Sequence, residues 1–480
     1  MKIPSRHPRA PRRLASAFLA SSLVASWLAA GPFVRPASAQ AVVVLPGLSQ
    51  PNRPARNFES PQVHPLAVTP DGTRLLAVNS PNATLSVFQL GGPQPLLTAE
   101  IPVGLEPVSV AARSDREAWV VNWLSDSVSV VDLTAGNVVR TIDVGDEPTD
   151  VLFAGQGREL AFVCVSGPAQ VKVFDPASAS AAPLRTIDLF SKQPRALARD
   201  TAGAQVFVSM FESGNQTTLV PQPVVQQQGG LPAPNPAMAP GLPPAPTTAL
   251  IVKWNGAQWA DETGDTKWDQ FINYTLADID LVVIDAAAPA PAVSAQLRGL
   301  GTHLGNMAFD PTGSRLYVAN LESESVRRFE PNLRGNFQHN RVSVFNVGPG
   351  GAVSLASVSD LNPHVNFSNP AGTDAERAQS LALPADVVRA SDGTVFVAAT
   401  SSDKVGVLSA AGAVQGLGGG SPPLALTKGS GTTAVWLPDS KTETKTRAPP
   451  ASRANARGCL PRMATTCGAA SGAAASKTFT

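Results

Sequence analysis

The chain has 480 residues, of which 43% are hydrophobic and 15% charged, where an ordinary globular protein has about a quarter charged. That balance excludes a highly charged disordered chain and leaves ample material for a buried core. A formal charge of +1 argues against general nucleic-acid binding, and 39 Gly with 44 Pro favour a turn-rich β architecture over a helical bundle.

Residues 1–39 carry six Lys/Arg and no acid. Lys2, Arg6, Arg9, Arg12 and Arg13 precede an apolar stretch from Leu14 to Ala30, and Ala37-Ser38-Ala39 follows as a small-x-small cleavage site. This is the layout of a secretory signal peptide. The apolar run, about 17 residues, falls short of the roughly 20 that span a bilayer. Export to the periplasm or the medium is therefore expected, with cell-surface association open. No later segment is apolar for long enough to span, so the mature chain is expected to have no membrane span. Residues 40–64 form an N-terminal segment in which Ala41-Val42-Val43-Val44-Leu45 could add a closing strand to the last repeat. The body, 40–440, has 24 basic and 35 acidic residues, a balance that repels phosphate backbones and anionic lipid.

From residue 65 onward a turn followed by an apolar strand recurs. Pro70-Asp71-Gly72 precedes Leu75-Leu76-Ala77-Val78-Asn79, and Ser114-Asp115-Arg116 precedes Ala118-Trp119-Val120-Val121-Asn122. Similar pairs lead to Ala161-Phe162-Val163-Cys164-Val165, Val206-Phe207-Val208-Ser209, Leu316-Tyr317-Val318-Ala319-Asn320 and Val395-Phe396-Val397-Ala398. A degenerate last copy is Ala434-Val435-Trp436-Leu437. Asn79 to Asn122 is 43 residues, and Asn122 to Val165 is 43 again. A second strand follows each first, as in Val128-Ser129-Val130-Val131-Asp132, and most units open on x-Pro, as in Glu106-Pro107. Gly-rich turns between Val/Ile/Phe runs are hairpin chemistry. Four short strands per 40–45 residues is the period of a propeller blade. Openings near 65, 107, 148, 194, 303, 384 and 422 predict an all-β, seven-bladed β-propeller over 65–440.

Two blades are stretched. The fourth carries an excursion over 211–278 that includes a Pro/Gln-rich run, 221–246, expected to be an extended or disordered loop. The rest of it holds Trp254, Trp259, Trp268 and Tyr274 and is expected to dock on the propeller. The fifth blade has a shorter insertion around 321–340, and a loop over 362–378 precedes the sixth. The last blade reads as incomplete. Residues 441–480, with seven Lys/Arg and one acid, have no periodicity and read either as a disordered tail or as a frameshifted one.

Leu316-Tyr317-Val318-Ala319-Asn320, with looser copies ending at Asn79 and Asn122 and the Val-Ser-Val-Val-Asp strand at 128–132, resembles the YVTN-type β-propeller repeat proteins of bacteria. The resemblance covers about 65–440 and implies a secreted or cell-surface propeller. Longer relatives look like fusions to a c-type cytochrome or peroxidase-like haem domain, whereas this chain contains no Cys-x-x-Cys-His haem site. The expected function is that of an exported propeller that binds a protein or cell-envelope component, as a monomer. A redox accessory or lactonase-like hydrolase is the alternative.

The candidate chemistry is sparse. His64, Glu106, Glu147 and Gln193 each precede a blade-opening Pro, and His303 lies near the fifth opening. Placed at one mouth of the central channel, His64, Glu106, Glu147 and His303 could hold a divalent metal, with Gln193 contacting a ligand; a solvated polar ring is the plainer reading. Asp143, Asp146, Glu147 and Asp150 read as a solvated loop edge, and Asn79, Asn122 and Asn320 as bonding local backbone. Trp119 and Trp123 read as inter-blade packing, His339 and His364 as surface histidines, and Cys164 as a buried small hydrophobe. Cys459 and Cys467 could pair. No Gly-x-Ser-x-Gly elbow, P-loop or Rossmann fingerprint occurs.

Overall fold

A computed structural model describes residues 61–232, 241, 248–326, 336–367, 372–390, 392–402, 404–409 and 414–418. The signal peptide, the 41–45 strand, the seventh opening near 422 with its 434–437 copy, the 441–480 tail, Cys459, Cys467 and half of the Pro/Gln-rich run lie outside the described residues.

Alternating Val, Ile and Phe with Gly-bearing turns every few residues leaves each segment only one satisfactory partner, its sequence neighbour. Six four-stranded antiparallel meanders result among the described residues. Blade 1 runs from Leu66–Val68 to Leu96–Pro102, blade 2 from Pro107–Ala112 to Asn137–Asp143, and blade 3 from Pro148–Ala154 to Arg185–Asp188. Blade 4 runs from Pro194–Arg199 to Ala292–Leu297, blade 5 from His303–Phe309 to Val353–Asp360, and blade 6 from Pro384–Arg389 to Val414–Gly418. The first strand of each blade lies against the first strand of the next, so these strands are innermost. The chain is an all-β propeller.

Burial follows the radius. The second strands Leu160–Val165 and Gln205–Met210 are buried along their whole length, while the outer strand Asn137–Asp143 alternates. Each joint between successive blades has its own apolar cluster. Val78, Leu85, Val120 and Val131 join blades 1 and 2, and Trp119, Val128, Val151 and Val163 join blades 2 and 3. Phe162, Val173, Val208 and Ile284 continue into blade 4, Phe207, Leu281, Leu316 and Phe345 into blade 5, and Tyr317, Val342, Val387 and Val397 into blade 6. Trp119 is fully buried and meets Phe153 of the next blade edge-on at 5.5 Å, the inter-blade role expected of it.

Successive strands are joined at two ends of the ring, and the two ends differ. At one end the turns are tight and polar, as in Asp310-Pro311-Thr312-Gly313-Ser314, where Gly313 adopts φ +72° and a Cβ would lie 2.6 Å from the Thr201 hydroxyl of the neighbouring turn. At the other end, where the inner strands begin, lie all the long excursions: 211–280 in blade 4, 324–337 in blade 5 and 361–383 before blade 6.

The blade 4 excursion is a small module with its own core. It contains a three-stranded sheet (Thr217–Val220, Leu250–Trp254, Trp259–Ala260). The Pro/Gln-rich run does not begin as a loop: Pro221 ends a strand and Gln222–Gln227 is helical, with Val225 buried beside Val220, Leu250, Val252 and Trp268. Two Val residues at 224 and 225 suffice to give this polar turn an apolar side. The module docks as expected. Lys253 pairs with Glu322 of blade 5 at 2.8 Å, and the Asn215 amide donates to the Ser323 carbonyl at 3.1 Å. The 362–378 loop likewise contains a helix, Asp374–Gln379, opened by a reciprocal Thr373–Glu376 capping box. No described helix is long and apolar enough to cross a membrane.

Candidate functional site

The blade-opening motif places its side chains differently from the sequence expectation. Glu106, Glu147, Gln193 and Leu383 have left-handed backbones, with φ of 49°, 58°, 47° and 56°. That conformation turns each carbonyl toward the end of the blade's second strand, where it accepts from the amides of Trp123, Ser166, Phe211 and Thr400 at 2.9–3.0 Å. The position before Pro is thus a backbone hinge. Glu147 is half-buried, and burial together with Asp146 and Asp126 raises its pKa. Gln193 is exposed. His303 takes no such turn; its Nδ1 bonds the Phe211 carbonyl at 2.5 Å and its ring leans on Phe211 at 5.4 Å. The four groups expected to share a metal are not gathered: His64 is bonded to Asp150, His303 to Phe211, and no group of three or more His, Cys, Asp and Glu side chains among the described residues is placed to hold a metal ion.

The groups that do converge on the axis sit two residues after the Pro. Pairing between first and second strands slips by one residue just after Pro107, Pro148, Pro194 and Pro384, and at the matching place in blade 5. Such a bulge re-aims side chains. It carries inward the polar residues Ser109, Asp150, Asn306 and Asp386, and leaves Arg195 as the extra residue in blade 4. Asp150, expected at a solvated edge, is 1% exposed. Its Oδ1 accepts from the Ser109 hydroxyl at 2.6 Å and the Val151 amide at 2.9 Å. Its Oδ2 meets His64 Nδ1 at 2.7 Å and accepts from the Leu197 amide at 2.7 Å.

The electrostatics balance. Burial pulls the His64 imidazole's pKa down, but the charge and hydrogen bond of Asp150, with Asp386 adding to them, more than offset burial and hold it at about 9. His64 is therefore an imidazolium at neutral pH. Burial raises Asp386, against the pull of His64. Burial lowers Arg195, against the pull of Asp150; its guanidinium lies 4.9 Å over the Phe211 ring and donates to the Pro61 carbonyl at 2.7 Å. Two carboxylates thus face two cations, and the cations and Asn306 hold the chain's own residues 61–63 at the axis. A polar cluster so satisfied is a fastening.

Cys164, fully buried next to this cluster, has its thiol pushed up to about 12 by burial. In the native protein it is expected to resist iodoacetamide at pH 8 and to be alkylated once guanidinium unfolds the chain; mass spectrometry of the 160–165 strand decides this.

The other sequence candidates resolve as follows. The Asn122 and Asn320 amides reach across to the next strand, donating to Ser129 at 3.0 Å and Ser343 at 2.9 Å, whereas Asn79 accepts locally from the Asn82 amide. Asn320 also donates to the local Val318 carbonyl at 3.0 Å, as read from the sequence, while the Asn-to-Ser pairing needs the hairpin register. His339 pairs with Glu324 at 3.3 Å, and His364 bonds the Glu376 carbonyl at 3.1 Å. Beside the insertion, an open depression of about 330 Å³ is lined by Lys253, Trp254, Asn255, Asp261 and Glu262, with Glu324 and Val326.

Comparison with known proteins finds likenesses among solved structures alone. No family model and no curated protein matches the chain. Among solved structures, hydrazine synthase of Kuenenia stuttgartiensis is similar at a TM-score of 0.47 and 16% identity, over 75% of this chain and 80% of that one. A functionally unknown protein from Desulfotomaculum acetoxidans is similar at 0.47 and 12%, over 74% and 84%. The periplasmic gluconolactonase of Pseudomonas aeruginosa is similar at 0.42 and 15%, over 73% and 83%. None of these likenesses assigns an activity to this chain.

Proposed function

We propose that this chain is an exported propeller of the YVTN type that binds a protein or another component of the bacterial cell envelope through the end of the ring that carries the excursions. One observation carries the reading. Large apolar side chains stand exposed on the loops of that end: Leu105 55%, Leu124 53%, Phe190 54%, Leu219 57%, Tyr274 50% and Phe337 44%. The first-to-second-strand turns of the opposite end are polar or small, built of Asp, Thr, Gly, Ser, Gln, Arg, Pro and Ala, and the exposed Leu96, Leu97 and Leu184 of that end lie where outer strands begin. A soluble face that keeps apolar groups in water, beside a Trp-lined depression, is where a partner gains most by burying them. Rigid blades below and variable loops above suit recognition.

The test is sedimentation of the purified chain with bacterial envelope fractions. Saturable binding is expected, weakened at least about tenfold by Leu124→Ser, Phe190→Ser and Tyr274→Ser and unchanged by Gln156→Ala at the opposite end. Binding indifferent to all three loop substitutions overturns the assignment of the face. No binding, together with turnover of a lactone, overturns the function in favour of a hydrolase.

A further inference from the structure

In a propeller each blade touches only its neighbours, so the ring is a chain of joints and is as cooperative as its weakest one. Residues 61–64 break that rule. The Gln62 amide donates to the Ser80 hydroxyl at 3.0 Å, and Ser80 in turn donates to the Pro107 carbonyl at 2.7 Å, which ties in blades 1 and 2. The Val63 amide donates to the Val108 carbonyl, and the Val110 amide to the His64 carbonyl, both at 2.9 Å, again on blade 2. His64 meets Asp150 of blade 3 at 2.7 Å. Arg195 of blade 4 donates to the carbonyls of Pro61 at 2.7 Å and Gln62 at 3.2 Å. Asn306 of blade 5 donates to the Val63 carbonyl, and Asp386 of blade 6 bonds Asn306 and attracts the imidazolium. Four residues thus touch the inner strands of blades 2 to 5 and the turn after the second strand of blade 1, and reach blade 6 through Asn306 and the charge of Asp386.

We propose that residues 61–64 are an axial clasp that couples the blades into one cooperative unit, with the His64–Asp150 ion pair as its lock. The lock is proton-dependent because only imidazolium pairs with both carboxylates. The groups facing it are Asp150, Asp386 and Arg195, with Cys164 behind Asp150. His64 has its pKa raised from 6.5 to about 9. A raised value gives stability that is complete below the unfolded value of about 6.5 and is lost as pH climbs through about 9. Alkali therefore opens the clasp and acid closes it.

Hydrogen exchange, corrected for the intrinsic pH dependence of the chemistry, tests this on the full chain. Between pH 7 and pH 10 the wild-type peptides covering 61–66 and 107–112 are expected to lose at least about tenfold in protection, while 160–165 changes less. His64→Ala should show that loss already at pH 7, with no further change to pH 10, and its thermal unfolding should broaden or split. Wild-type protection that is flat from pH 7 to 10 overturns the lock, whether or not the variant folds. A folded His64→Ala protein that exchanges and melts like wild type overturns the clasp itself.

Discussion

Asp150→Ala is expected to lower the unfolding free energy by about 3–5 kcal/mol, the usual cost of removing one member of a buried charge pair. The carboxylate is 1% exposed and serves two acceptor roles at each oxygen. Removing it leaves the Ser109 hydroxyl, the Leu197 amide and a buried imidazolium without their acceptor. Asp150→Asn keeps the shape but turns one oxygen into a donor that confronts two donors, so it too should destabilise the fold. The control is Asp188→Ala: that carboxylate lies on an exposed outer strand and accepts only from Gln170 among the hydrogen bonds found, so a change within about 0.5 kcal/mol is expected. Guanidinium unfolding of the three variants decides it. An Asp150→Ala midpoint equal to that of Asp188→Ala would sink the view that the axis is held together by this one group.

Trp268→Ala is expected to have a comparable effect confined to the excursion. Trp268 is fully buried among Val220, Val225, Leu250 and Val252, and its indole N–H donates to Asp261 Oδ2 at 3.1 Å. Asp261 Oδ1 in turn accepts from the amides of Thr263 and Asp265. The residue therefore closes both the apolar core of the module and its polar loop. Large-to-small changes at such sites cost about 3–5 kcal/mol. A five-residue core cannot absorb that, whereas the blades have their own inter-blade clusters and should remain folded. Brief trypsin treatment should cut at Lys253 and Lys267 in the variant and spare both in wild type, while Arg140 and Arg199 in the blades stay uncut in each. Equal resistance at Lys253 and Lys267 in both proteins would show that the module does not depend on this side chain.

The resemblance to lettered fragments of a repeat was a sound guide to the blades. The 43-residue spacing, the Gly-bearing turns and the apolar second strands located blades 1 to 6 and the two excursions, because pairing partners are adjacent in the chain and each strand announces its own burial. That the blade 4 module has a core was legible from its aromatic residues, of which Trp268 is the buried one, whereas its docking runs through Lys253 and Asn215.

The axis was another matter. The residue before the Pro reads as a channel-mouth group, and His64 does stand at the axis, but Glu106, Glu147 and Gln193 serve as backbone hinges. A one-residue bulge after Pro107, Pro148, Pro194 and Pro384 re-aims the side chains that follow, and a one-residue slip in a strand exchanges its faces. The signal that could have found the right set was present: Ser109, Asp150 and Asp386 each stand two residues beyond their Pro, a polar group just ahead of an apolar run.

By itself, the sequence determined the repeat, the strands, the turns and the sites of insertion, because these depend on contacts within one repeat, except in blade 4, where Gln205 pairs with Asp285 across the excursion. Only the tertiary structure decided that Asp150 is the hub of the ring, that Asn122 pairs with Ser129, and that residues 61–64 reach blades hundreds of residues away. These depend on register and on closure. A bulge costs one residue and has no composition of its own, and Asn306 meets Val63 across 243 positions only because the blades curve around a common axis.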